Sequence, residues 1–218
     1  MKILDKLPIT IFHGSEFIIK KPEFGKGREN NDYGPGFYCT KNKGLAGEWA
    51  VLWTERDGHI NEYKLDCSEL ETLKLDELDV KHWIAILMHN RKGKYKEEIV
   101  YPRIEKFTGE YLPDLAPYDI IAGWRADDAF FSFVEDFMLG LLSFENLAIA
   151  MKFGDLGLQT CLKSRKAFGK IEWMASYPAS SRRFLKSAQD RDEKARSDYR
   201  RLPNKAHGTL ISDIIGRD

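Results

Sequence analysis

The stretch DYGPGFYCT, residues 32–40, runs from a glycine-rich turn into a short β-prone segment, Gly36–Thr40. An earlier β-prone segment, Ile9–His13, ends at Gly14, and a loop rich in Gly, Lys and Asn separates the two. Further short strands are predicted at Ile60–Leu65, Tyr118–Gly123, Leu158–Leu162 and Ile171–Tyr177. We therefore expect sheets built from short strands.

Helical periodicity fills several of the intervals between these strands. Thr40 or Asn42 is expected to cap a helix that continues through Trp53, because either side chain can accept hydrogen bonds from the first helical N–H groups. Further helices are predicted at Asp79–Asn90, Asp128–Leu139, Phe144–Phe153 and Ser180–Arg201. The prolines and glycines of Arg91–Pro117 predict a long loop. Because strands and helices do not alternate strictly, the pattern favours an α+β fold over a doubly wound parallel sheet.

The composition is that of a globular protein. Of 218 residues, 43 % are hydrophobic and 12 % aromatic, which is enough to bury a core without metals or disulfides. The 34 Lys and Arg balance 34 Asp and Glu, so the whole chain lacks the net charge of an obligate nucleic-acid binder or a membrane-surface protein. The three cysteines form no CxxC pair, and the sequence has no signal-peptide or membrane-spanning run. We expect a cytoplasmic protein without disulfides.

Basic residues concentrate near the C-terminus. Residues 163–207 hold 13 Lys or Arg against 5 Asp or Glu, whereas residues 1–162 hold 20 against 27. The sequence therefore predicts a body over residues 1–177 and a basic helical extension over residues 178–218, whose last apolar run, Thr209–Ile215, docks on the body. The charged helix is typical of a solvated helical face, and it would also suit a polyanion such as RNA.

Three short motifs hold the candidate functional residues. They are Phe12–Ser15 (FHGS), Gly34–Tyr38 (GPGFY) with Trp49 eleven residues later, and Leu156–Gln159 (LGLQ). Taken alone, each has an ordinary structural explanation as a structural histidine, a turn or core aromatic residues. Their joint order and spacing indicate a functional site. His82 and His89 lie seven residues apart without an HExxH pattern or an acidic partner, so no metal site is predicted.

This arrangement resembles the catalytic domain of the ADP-ribosyltransferases, in the branch of diphtheria toxin and the poly(ADP-ribose) polymerases. That branch carries HG[ST] on the first core strand, GxGxYF on the second, an aromatic residue about one helix later and a glutamate opening a late strand. The chain is also similar, over roughly residues 9–177, to a bacterial domain-of-unknown-function family with an ADP-ribosyltransferase-like core. The family's motifs HGS, DFGxGFYxT, YDIIxGxRADD and LGxQxxLKSxKAF correspond to His13–Ser15, Asp32–Thr40, Tyr118–Asp128 and Leu156–Phe168. The resemblance implies a split β-sheet core with surrounding helices.

The resemblance also implies roles in cleaving NAD between nicotinamide and ribose. His13 would hydrogen-bond a hydroxyl of the nicotinamide-side or the adenosine ribose. The Gly14 backbone would pair with the nicotinamide carboxamide, where the absence of a side chain permits close approach, and Ser15 would donate to the same amide. Tyr38 and Trp49 would hold the cationic nicotinamide ring between them, at about 0.5 to 2 kcal/mol for each desolvated contact.

The remaining implied contacts concern the backbone and the diphosphate. Gly34 and Gly36 would allow the tight backbone before Tyr38. Candidate contacts for the NAD pyrophosphate are Lys26 or Arg28, in the glycine-rich loop that begins at Phe24, and Arg125.

One residue departs from the better-known enzymes. Gln159 stands where those enzymes place glutamate, and a neutral amide can orient a ribose hydroxyl but cannot stabilise an oxocarbenium ion by charge or act as a base. Losing one preorganised group of this kind costs roughly a hundred- to a thousandfold in rate. Asp127 and Asp128 are candidates for an assisting carboxylate, and either could instead cap the following helix.

The expected function is therefore that of a bacterial mono-ADP-ribosyltransferase that uses NAD and modifies a macromolecular acceptor, either protein or nucleic acid. The resemblance further suggests a toxin or defence effector with a cognate antitoxin. Two alternatives remain at this point, namely an NAD glycohydrolase, in which water is the acceptor, and a catalytically inactive module that binds NAD, ADP-ribose or a partner.

Overall fold

The structure, a computed structural model, describes residues 8–52, 54–91, 98–126, 128–153 and 157–216. Its strands are β1 (Ile9–Ser15), β2 (Phe37–Cys39), β3 (Gly58–Leu65), β4 (Thr72–Lys74), β5 (Ile120–Trp124), β6 (Leu158–Leu162) and β7 (Ile171–Ala179). Its α-helices are α1 (Lys43–Val51), α2 (Val80–Asn90), α3 (Val100–Tyr111), α4 (Asp128–Met138), α5 (Phe144–Ala150), α6 (Arg165–Gly169), α7 (Ser181–Arg201) and α8 (Ile211–Ile215). The predicted α+β class is thereby confirmed.

The strands form two sheets. One is antiparallel in the order β1-β3-β7, and the other has the order β2-β6-β5-β4, in which only β4 and β5 pair in parallel. An isolated bridge between Phe12 and Thr40 joins the two sheets. The Phe12 N–H donates to the Thr40 carbonyl at 2.7 Å, and the Thr40 N–H donates back at 2.9 Å.

Apolar side chains form cores on both sides of the second sheet. The larger core packs the sheet against helices α2 to α5, around the fully buried rings of Trp83, Phe107 and Phe130. A smaller core lies between the sheets and includes Ile11 and Leu162. Cys39, Cys67 and Cys161 are buried free thiols. Among the described residues, no helix is both long enough and apolar enough to cross a membrane.

The long loop predicted for Arg91–Pro117 is wrong, because helix α3 occupies Val100–Tyr111. Val100, Ile104 and Phe107 are spaced to share one helical face, and all three are buried. Pro102 lies in the first turn of α3, where a missing N–H leaves no intrahelical hydrogen bond unmade. The sequence also did not indicate β4 or the short helix α6.

Helices support the first sheet next to the site described below. Asn42 is the cap of α1, and its side chain accepts from Gly44 N at 2.9 Å and Leu45 N at 3.2 Å. Helix α1 packs on β1, and α7 packs on α1. The side chains of Ile211 and Ile215 in α8 are buried. The division of the chain at residue 177 stays a prediction.

Candidate functional site

A cavity of about 980 Å³ opens where the two sheets separate beyond the Phe12–Thr40 bridge. Its volume lies at the upper end of the range for small-molecule sites. The predicted site residues that line it are His13, Gly14, Ser15, Arg28, Gly36, Tyr38, Trp49, Arg125 and Gln159. The structure thus gathers residues from four separated parts of the chain. Asp127, Leu156 and the side chain of Asp128 lie outside what the structure describes.

The opening between the sheets follows from an interrupted ladder. Alternate residues of a strand direct their peptide groups to the same side, so the Gly14 N–H and C=O face the second sheet as those of Phe12 do. A continued ladder would pair Gly14 with Tyr38. Instead, the Tyr38 carbonyl accepts a hydrogen bond from His13 Nδ1 at 2.6 Å. The Gly14 peptide groups therefore face the cavity without that ladder partner.

The hydrogen bond to Tyr38 fixes the chemistry of the His13 ring. A carbonyl oxygen can only accept, so Nδ1 carries the proton and Nε2 of the neutral ring is an acceptor. Burial lowers the pKa of His13, which favours this neutral form, and the bond to the Tyr38 carbonyl opposes it. The ring packs against Phe37 with 4.3 Å between centroids. His13 thus offers the cavity a hydrogen-bond acceptor.

Tyr38 and Trp49 offer aromatic surface. The Tyr38 hydroxyl donates to the Gly34 carbonyl at 2.6 Å and accepts from the Tyr33 N–H at 2.9 Å. It is therefore hydrogen-bonded as donor and as acceptor within the turn that precedes β2. Burial raises the pKa of Tyr38 well above its usual range. The Arg125 guanidinium lies 5.2 Å from the centroid of the Trp49 ring. The Trp49 face is therefore already suited to a cation.

Close backbone packing explains two of the glycines. A Cβ at Gly14 would overlap the carbonyl oxygen of Ala46 in α1, and one at Gly36 would overlap the Cys161 sulfur. The resemblance explained the absence of a side chain at Gly14 by close approach of a ligand. In the structure, helix α1 already requires glycine there.

Ser15 differs from its expected role. Its hydroxyl donates to the Phe17 carbonyl and accepts from Asn61 Nδ2 at 3.1 Å. The fully buried Asn61 also donates to the Phe17 carbonyl at 3.1 Å and accepts from the Ile19 N–H at 2.9 Å. The Ser15 proton is thus directed to the main chain, where it holds residues 15–19, and in this structure it is not offered to a ligand amide.

Asp32 is a site residue that the sequence reasoning missed. Its carboxylate is 4 % exposed, lines the cavity and accepts from Gln159 Nε2 at 2.7 Å. Arg91 donates to its Oδ1 from Nη2 at 2.6 Å and from Nε at 3.0 Å. The only sequence signal was the place of Asp32 at the start of the DYGPGFYCT motif. Nothing in that motif indicates contact with a residue 127 positions later.

Charged side chains on the cavity wall are mainly basic. Lys21, Lys26, Arg28 and Arg125 contribute positive charge, and one of the acidic side chains, Glu23, pairs with Lys26 at 3.4 Å. This balance is suited to an anionic ligand. In the part of the chain that the structure describes, no three His, Cys, Asp or Glu side chains are grouped so as to hold a metal ion.

The fold and the cavity together define an α+β protein with a large cavity between two sheets. Residues 9–173 match the model of the family described as "Protein of unknown function (DUF3990)", and the chain belongs to that family. No curated protein and no solved structure matches the chain.

Proposed function

We propose that this protein is a mono-ADP-ribosyltransferase that cleaves NAD and transfers ADP-ribose to a macromolecule. One observation carries the proposal: a single cavity collects His13, Tyr38, Trp49 and Gln159, in the chain order of the ADP-ribosyltransferase motifs that the sequence resembles. The family description gives no activity. The chemical groups on the cavity walls supply the support for an activity.

The polar groups of the site suit the ribose beside nicotinamide. His13 Nε2 is an acceptor, and Gln159 Oε1 is also one because its Nε2 already donates to Asp32. Two neutral acceptors match two hydroxyl donors, which is what a ribose diol presents. Such contacts would orient the sugar for loss of nicotinamide.

The nicotinamide group has complementary contacts nearby. The Gly14 C=O would accept from the carboxamide NH₂, and the Gly14 N–H would donate to its oxygen. Tyr38 and Trp49 would contact the cationic ring by their faces, each worth about 0.5 to 2 kcal/mol. The diphosphate would lie toward Lys21 and Arg28 on the cavity wall.

In the proposed reaction, the bond between the nicotinamide nitrogen and ribose C1 breaks, and nicotinamide leaves with the electron pair. An oxygen or nitrogen of the acceptor then forms a bond to C1 and releases a proton. The basic residues of the C-terminal segment favour a polyanionic acceptor such as RNA over protein. A toxin with a cognate antitoxin is included in the proposal because the family resemblance of the sequence suggests it.

The test incubates the purified protein with NAD labelled in the adenosine part and a bacterial lysate, and measures free nicotinamide in parallel. His13→Ala is the inactive comparison, and His207→Ala, at an exposed histidine, is its matched control. We expect nicotinamide release and macromolecular label with the wild type and with His207→Ala, and a loss of at least tenfold with His13→Ala.

Treating half of the labelled product with RNase and half with protease identifies the acceptor. Nicotinamide release without label would indicate a glycohydrolase instead. Saturable NAD binding without release would indicate a binding module. Absence of both binding and release would refute the proposal.

A further inference from the structure

We propose that Asp32 is a positioning residue for Gln159, and that this pair replaces the glutamate of the better-known ADP-ribosyltransferases, so that Gln159→Glu lowers activity. The inference rests on the proposed function for its catalytic part. It follows from the hydrogen bonds of one buried carboxylate.

Within the described part of the chain, four hydrogen bonds reach the Asp32 carboxylate, each from an N–H group. Arg91 provides two N–H groups to Oδ1, at 3.0 and 2.6 Å. The Ala126 N–H donates to Oδ2 at 3.0 Å, and Gln159 Nε2 donates to the same oxygen at 2.7 Å. The Arg91 side chain is only 12 % exposed, and its guanidinium lies 5.0 Å from the Phe131 ring centroid. A buried carboxylate with four such donors is held in one orientation.

The orientation of the Gln159 amide follows from these contacts. Its Nε2 faces two acceptors, Asp32 Oδ2 and the Trp124 carbonyl at 3.4 Å. Rotating the amide by 180° would place Oε1 against both acceptors and leave no donor there. Asp32 therefore keeps Oε1 turned away from itself. With this arrangement, Gln159 presents an acceptor to the cavity that it lines.

Glutamate at position 159 would place two carboxyl groups at the 2.7 Å contact now made by an amide. Two carboxylates at that distance cannot both be ionised, so one must hold a proton. The protonated acid can donate to Asp32 as Nε2 does, whereas the ionised form is repelled. The substitution that restores the glutamate motif in sequence therefore disrupts the site as the pH rises and the shared proton is lost.

Asparagine at position 32 disrupts the same contacts differently. Its NH₂ group would face either the Arg91 guanidinium or the Ala126 N–H, and both are donors. When the NH₂ group replaces Oδ2, the Gln159 amide can turn so that Oε1 accepts from it. The cavity would then receive an N–H donor in place of an acceptor, and a ribose hydroxyl that donates to Oε1 of the wild type would lose that acceptor.

The first measurement needs no NAD. Gln159→Glu is compared with Gln189→Glu, the same change at the exposed second glutamine of the chain. In folded Gln159→Glu the two carboxyl groups at positions 32 and 159 share one proton, whereas the glutamate of the unfolded chain releases its proton above about pH 4.3. The variant therefore keeps its stability at low pH and loses it as the pH rises. Relative to wild type, we expect the unfolding constant of Gln159→Glu to rise by up to about tenfold per pH unit above pH 5.

The stability of the variant is compared with that of the wild type at each pH, so that the pH dependence contributed by neighbouring titratable and charged groups is subtracted. These groups are His13, Tyr33, Tyr38, Arg91, Arg125, Cys161 and Lys163. Burial raises the pKa of Tyr33 and Tyr38 well above the usual range, and raises the pKa of Cys161 to about 12, so these three stay protonated between pH 5 and 8. A pH-independent difference between Gln159→Glu and wild type would overturn the Asp32 contact.

The second measurement is nicotinamide release. We expect the ratio of kcat/KM for Gln159→Glu to that for wild type to be below one tenth at pH 8 and to rise at pH 6, whereas the Gln189→Glu ratio stays near one. We expect Asp32→Asn to raise KM for NAD. A Gln159→Glu enzyme that is faster than wild type at pH 8 would overturn the inference. Absence of release by the wild type would overturn the proposed function instead, and the stability measurement would still decide whether Asp32 fixes Gln159.

Discussion

The ion pair between Glu48 and Arg191 attaches helix α7 to helix α1, and its removal provides a quantitative test of how the C-terminal segment supports the site. The Glu48 carboxylate is 3 % exposed and accepts from Arg191 Nη2 at 3.1 Å and Nε at 3.3 Å. Ser187 Oγ donates to it at 2.8 Å. Glu48 precedes Trp49, which lines the cavity. We therefore expect Arg191→Met to weaken the packing of α7 against α1, the helix that carries Trp49.

The magnitude follows from the burial of the carboxylate. Removing one partner of a buried ion pair costs about 3 to 5 kcal/mol, because the other charge is left uncompensated. The bond from Ser187 remains, and the Arg191 side chain is 24 % exposed, so the expected loss is at the low end, about 3 kcal/mol. For a chain of this size, that loss lowers Tm by about 6 to 12 °C.

A second substitution separates charge burial from packing. In Glu48→Met/Arg191→Met no charge remains at the contact, and replacing a buried pair by apolar side chains is often neutral. We expect the double variant to be within about 1 kcal/mol of the wild type, and therefore more stable than Arg191→Met alone.

The assay is urea unfolding followed by tryptophan fluorescence, with Arg196→Met as the matched control on the same helix. Arg196 pairs with Asp192 in an i,i+4 arrangement that is partly solvent-accessible, so loss of this pair should cost about 0.5 kcal/mol or less. The reasoning fails if Arg191→Met costs no more than this control, or if the double variant is less stable than the single variant.

Three further predictions concern the cavity and the backbone. Burial lowers the pKa of His13, and the neutral ring is the acceptor, so NAD affinity should be constant from pH 8 to pH 7 and weaken only below the usual pKa of about 6.5. Calorimetry measures this affinity, and weakening between pH 8 and pH 7 would contradict the prediction. Gly34→Ala should cost more than about 1 kcal/mol in thermal unfolding, since φ is +76° and the new Cβ would lie 2.7 Å from Asn90 Oδ1; an unchanged Tm would refute this. Gly109→Ala in α3 should instead stabilise by about 0.5 to 1 kcal/mol, because the Cβ meets nothing within 4 Å, and a lower Tm would count against it.

Local patterns predicted most elements of the fold because each pattern reflects a local cause. Alternation and turn residues located the strands other than β4, and the Asn42 cap fixed the start of α1. The failure at α3 came from treating Pro102 as a helix breaker, although it lies in the first turn. The spacing of Val100, Ile104 and Phe107 is that of one buried helical face and already indicates a helix.

The site could be predicted only in part, because its motifs show which residues are present but not what they contact. The order of HGS, GPGFY and LGLQ indicated one site, and the structure brings residues from each of the three motifs to one cavity. The contact between Asp32 and Gln159 depends on the packing of the second sheet against the turn before β2, which no local pattern encodes. The direction of the Ser15 hydroxyl likewise depends on Asn61, a residue of another strand.

The structural and the functional interpretations of His13 are therefore not alternatives. The ring takes the Tyr38 carbonyl that Gly14 would otherwise bind, and this one bond both keeps the ladder from closing and fixes Nε2 as an acceptor. The same interruption leaves the Gly14 peptide groups facing the cavity. A side chain at this position that could not hold the Tyr38 carbonyl would remove the acceptor, and it would also allow the two strands to pair across the space that the cavity occupies.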